Sequence, residues 1–116
     1  MTTITRHMKT RINHRIVEVD GMLHFGGLIA DDLGLDMQGQ TAQICAKIDA
    51  LLAEVGSSKE KLVTAMLYIT DFDQKEGMNA AWLDWLAADD LPTRATIGVA
   101  NLGKDVLIEV VVSAVC

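Results

Sequence analysis

Cysteine is scarce: only Cys45 and Cys116 occur in 116 residues. Two unmatched thiols make no disulfide framework, so a reducing, cytoplasmic setting is expected. Cys45 falls on the apolar stripe of a helix candidate, where a thiol is usually inert. Proline occurs once while half the residues are hydrophobic, which excludes a disordered chain. Aromatics make up 4% and the net charge is −6. Nucleic-acid tracking wants a basic surface studded with aromatic rings, so no nucleic-acid partner is expected. No apolar run is long enough to span a membrane, and the start has no apolar signal core; neither membrane nor targeting is expected. His7, His14 and His24 have no neighbours at metal-ligand spacing. The nucleophile-elbow, phosphate-loop and dinucleotide patterns are missing too. No metal or cofactor is therefore expected.

What is present suits one domain, residues 1–116, with room for a real core. Its last strand candidate is Asp105 to Val115, β-branched and apolar almost throughout. Such a run reads as a central strand covered on both faces. One carboxylate, Glu109, interrupts it. A carboxylate there needs a donor, unless it faces solvent or serves a structural ion pair. The nearest candidate is Arg94, the only charged residue between Asp90 and Lys104. An arginine can take a carboxylate bidentately, and a glutamate can orient or deprotonate a water.

The rest of the chain alternates. Ile16–Val19 and Met22–Phe25 flank Asp20-Gly21, a hairpin signal. Gly26-Gly27-Leu28-Ile29 reads as a short strand whose paired glycines mark a bulge or a close backbone approach. A helix runs from its N-cap Asp36 to Val55 and stops at Gly56. Leu62–Thr70 is a strand, and 59–61 at most one helical turn. A second helix follows Asp71-Phe72-Asp73, with Trp82 and Trp85 as packing anchors. Residues 91–99 give a further strand. No acid precedes Glu18, while Arg6, Lys9, Arg11 and Arg15 all fall there, which predicts a solvated basic arm. This string predicts an α+β fold: a mixed sheet of about six strands with two helices packed on one face. Its other face would be bare, and association of several copies would cover it.

The order of motifs resembles the reactive-intermediate deaminase family (RidA, also YjgF), from about residue 13 onward. The residues that carry the likeness are Gly26-Gly27-Leu28-Ile29, Gln40-Thr41, Gly56-Ser57-Ser58, Tyr68-Ile69-Thr70-Asp71, Met78-Asn79, Pro92-Thr93-Arg94-Ala95-Thr96, Val99-Ala100-Asn101-Leu102 and Leu107-Ile108-Glu109-Val110. The resemblance implies a chorismate-mutase-like fold with the last strand mid-sheet. It also implies a homotrimer whose sheets face an inner barrel, with ligand clefts between subunits. The activity implied is hydrolysis of enamines and 2-imino acids to 2-keto acids and ammonia, without metal or cofactor. Arg94 would bind the substrate carboxylate and Glu109 would position or activate water. Asn79 and the Thr96 backbone would support the ligand.

Two features depart from the family pattern. Where many members carry Gly-Pro-Tyr-Ser, this chain has Arg11-Ile12-Asn13-His14, and a common Ser-Gly step is Gly26-Gly27. Asn13 and His14 would stand in for the missing hydroxyls, beside Gly26 and Gly27. A larger or dicarboxylic imine would then suit the pocket, with Arg11 or Arg15 as a second anion contact. The alternative is a non-catalytic trimer that binds keto or amino acids at Arg94. RNA cleavage ranks last because of the acidic charge balance.

Overall fold

The structure is a computed structural model and describes residues 2–116. Six strands form one mixed sheet: β1 (Ile4–Lys9), β2 (His14–Val19), β3 (Met22–Phe25), β4 (Leu62–Ile69), β5 (Thr93–Gly98) and β6 (Ile108–Val115). Their order across the sheet is β1-β2-β3-β6-β4-β5. Only β4 and β5 pair in parallel, joined through α2 (Lys75–Trp85); the other neighbours are antiparallel. Helix α1 (Met37–Glu54) packs with α2 on one side of the sheet. That side is the helix face; the other is the open face.

The core follows from strand and helix periodicity. Ile16, Leu23, Leu67, Ile69, Ile108 and Val110 alternate onto the helix face and are fully buried. They meet Met37, Ile44, Ile48, Leu52, Met78 and Trp82 from the helices. Each such burial contributes about 1.5–3 kcal/mol. Asp36 caps α1 as its residue type predicts, its carboxylate accepting from Gly39 N at 2.8 Å. Gly56 ends the helix at φ +77°, and Asp20-Gly21 turn the β2–β3 hairpin with φ of 52° and 79°.

Four expectations are corrected. The basic start is no solvated arm: residues 4–9 form edge strand β1, paired to β2 with Ile4 opposite Val19 and Lys9 opposite His14. Its apolar content is low because an edge strand buries little. The short strand at residues 26–29 reduces to one bridge, Leu28 with Val110. The last strand begins at Ile108 rather than Asp105, whose φ of 62° precludes extension. It does run through the middle of the sheet, but its open-face residues Glu109 and Val111 are only half-buried within one chain.

One polar side chain holds the approach to β6. Gln40 is fully buried on the α1 stripe. Its amide nitrogen donates to the carbonyls of Leu33, Leu35 and Asp105, and its oxygen accepts from Leu107 N at 3.0 Å. Both loops that precede the site are thus pinned to the first turn of α1.

Candidate functional site

The expected site residues fall into two groups. Arg94 lies on β5 opposite Ala65 of β4, a buried helix-face residue, so its side chain leaves the sheet on the helix face. There its guanidinium stands over the Trp82 ring, 6.0 Å from the centroid. Such stacking holds the cation in place without neutralising it. Asn79, Trp82, Leu83, Leu91, Pro92 and Arg94 line a cleft of about 230 Å³. Its walls are mostly apolar, and partial burial pushes the arginine's pKa down. The guanidinium nevertheless stays charged. No described carboxylate pairs with it. The Asn79 Oδ1 is buried and has no hydrogen-bond partner among the described residues. Thr96, two residues beyond Arg94, shares its face of β5.

Glu109 belongs to the second group. It lies opposite Tyr68 of β4, three residues from Ala65, and so projects to the open face. One strand separates β5 from β6, and parity separates the two side chains further. Arg94 and Glu109 therefore do not form the pair that a lone arginine and a lone carboxylate suggest. The alternation of β4 between them puts a whole sheet's thickness in the way.

Gly26 and Gly27 explain where Glu109 goes. His24 pairs with Ser113 and Leu28 with Val110, so β3 spends one more residue than β6 over this stretch, a one-residue bulge. The Glu109 carboxylate lies against the α-carbon of Gly27; a Cβ there would stand 2.9 Å from Glu109 Cδ and nearer still to Oε2. The glycine thus provides both bulge and close approach. A Cβ on Gly26 would stand 2.9 Å from Asn13 Nδ2 and 3.8 Å from the His14 carbonyl oxygen. Asn13, His14, Gly26, Gly27 and Glu109 thus gather where β2, β3 and β6 meet.

Two contributors escape sequence reasoning. Trp82 supports Arg94 from another element, which no spacing reveals. Thr10 holds Asn13 through a turn whose residues carry no strong signal. Trp82 and Trp85 do pack as expected, edge to face at 5.4 Å. A groove of about 700 Å³ between the helices holds none of the expected site residues. Among the described residues no cluster of histidine, cysteine and carboxylates could hold a metal ion, and no helix is long and apolar enough to cross a membrane.

Comparison with known proteins agrees with this fold. The family model described as Endoribonuclease L-PSP matches residues 6–116. A RutC family protein of Haemophilus ducreyi is 31% identical over 92% of this chain and 96% of its own. A YjgF-family structure from Neisseria meningitidis superposes with a TM-score of 0.92 at 29% identity, covering 97% of this chain and 94% of that one. A Rid-family protein from Yersinia pestis gives 0.87 at 25% identity over the full length of both. The fold is therefore chorismate-mutase-like, and the chain belongs to the RidA/YjgF family, the family of the Endoribonuclease L-PSP model.

Proposed function

We propose that the protein is a hydrolytic deaminase of reactive enamines and 2-imino acids, yielding 2-keto acids and ammonia, and that it works as a homotrimer with sites between subunits. The observation that carries this reading is the separation of Arg94 from Glu109. The two side chains lie on opposite faces of the sheet, so one chain alone does not bring them together. A cleft that joins the helix-face edge of one protomer to the open face of the next would unite them. The half-buried apolar residues of the open face, Val17, Met22, Met66, Ile97 and Val111, favour such packing.

The chemistry follows from the residues. Arg94 takes the substrate carboxylate, with the Thr96 backbone as a further support. Asn79 Oδ1 accepts an N–H of the iminium. Glu109 holds water against the iminium carbon and takes one proton as the carbon–oxygen bond forms. The resulting carbinolamine breaks its carbon–nitrogen bond; nitrogen leaves as ammonia with the proton Glu109 returns, and the hydroxyl proton departs as the ketone forms. An iminium carbon is already electrophilic, so positioning supplies most of what is needed, and the reaction asks for no metal or cofactor.

The test follows the decay of free 2-imino acids released by an amino-acid oxidase. Wild type accelerates decay and a folded Arg94→Ala variant does not. No acceleration by wild type on any substrate would leave the alternative, a trimer that binds keto or amino acids without turnover. The absence of the family's tyrosine and serine hydroxyls, at Asn13 and Gly26, favours that alternative. The net charge of −6 weighs against RNA as the substrate.

A further inference from the structure

The β1–β2 turn carries a hydrogen-bond donor that the reaction above does not use. Residues 10–13 close the hairpin, with Thr10 N donating to the Asn13 carbonyl at 2.8 Å. The Thr10 hydroxyl oxygen accepts from Ile12 N at 3.3 Å and from Asn13 N at 3.1 Å. Its two lone pairs are then occupied, so its proton is donated, and Asn13 Oδ1 at 2.7 Å is a nearer acceptor than the Asn13 carbonyl at 3.3 Å. This fixes the orientation of the Asn13 amide: oxygen toward Thr10, nitrogen toward Gly26. No described residue accepts from that nitrogen. The donor occupies the space that a side chain at residue 26 would fill, as Glu109 does at residue 27. Each of the two consecutive glycines thus leaves room for one polar group, the Asn13 amide nitrogen at residue 26 and the Glu109 carboxylate at residue 27.

We propose that Asn13 is the specificity residue of this site, and that its amide reads a hydrogen-bond acceptor at the far end of the substrate's side chain. This rests on the deaminase reading for the other roles: Arg94 holds the 2-carboxylate and Glu109 the water, which leaves the side chain for Asn13. The preferred class is a 2-imino acid with a distal carboxylate. The same hairpin carries Lys9, Arg11 and Arg15, and no acid precedes Glu18, so its field favours an anion.

The experiment compares imines made from glutamate and from alanine, using wild type, Asn13→Asp and Gly26→Ala. Asn13→Asp replaces the donor by an acceptor. Gly26→Ala pushes the exposed amide aside while leaving Asn13 in the chain. Wild type prefers the glutamate-derived imine, and both variants lower that preference about ten-fold, the worth of one charge-assisted hydrogen bond. An unchanged ratio overturns the proposal, and so does an equal fall on both substrates, which is what a merely structural role would produce. Binding of 2-oxoglutarate and pyruvate, read by thermal shift, forms the second arm. If wild type turns over neither imine, the deaminase reading fails by itself, and this arm decides. A 2-oxoglutarate preference lost in both variants upholds the role of Asn13, and equal binding of the two acids removes it.

Discussion

Glu109 is held in place by an absence, the missing side chain of Gly27. Its carboxylate fills the volume a methyl group would need. A carboxylate at the end of a flexible stem yields more easily than backbone, so Gly27→Ala moves the acid instead of unfolding the sheet. The expected result is a turnover loss of about ten-fold or more with thermal stability nearly unchanged, since misplaced catalytic groups are penalised steeply. Kinetics on a 2-imino acid beside a melting curve checks both halves. A second residue offers a test independent of function. Burial pushes the Cys45 thiol up to about 12, from an ordinary 9.0. The folded chain then keeps a proton that the unfolded chain releases. Stability from this source is complete below pH 9 and is lost as the pH climbs toward 12. Denaturant melts should show a shallower alkaline decline for Cys45→Ala than for wild type. A thiol reagent should label Cys116, which is exposed, and reach Cys45 only on unfolding.

Among the elements, α1 does more than cover the sheet. Gln40 places an amide inside the core and satisfies it completely, tying residues 33–35 and 105–107 together. Gln40→Leu keeps the volume and strands four backbone groups. We expect a loss of about 3 kcal/mol in urea unfolding, with a turnover defect because Leu107 sets the entry to Glu109. The helix itself was legible from sequence, since Asp36, the 3–4 apolar spacing and Gly56 each act locally. The β2–β3 hairpin and the Arg94 segment were legible for the same reason. Strand β1 was not. Ile4-Thr5-Arg6-His7-Met8-Lys9 buries little on either face, so hydrophobic periodicity had nothing to register. The apparent pairing of Arg94 with Glu109 failed on a different count. Which face a strand residue takes relative to a residue two strands away depends on register, and register is set by contacts that no short window contains.

At the scale of the whole molecule, the proposed sharing of a site between protomers predicts complementation. Arg94→Ala and Glu109→Gln proteins, each inactive alone, should regain activity when unfolded together and refolded. Random assortment in a closed ring leaves intact roughly a quarter of sites that draw one residue from each of two protomers. Recovery of none would mean that both residues come from one chain. The sheet ends matter at this scale too. Strand β1 leaves one row of backbone amides and carbonyls without a neighbour within the chain. Along it stand Arg6, His7 and Lys9, and Met8 breaks the extended line with a φ of 56°. The β1 strand of a second copy seeking to extend the sheet would meet like charge and a kink. The cationic first strand thus doubles as a guard against runaway sheet growth, keeping its own edge of the sheet from becoming the seed of a fibre.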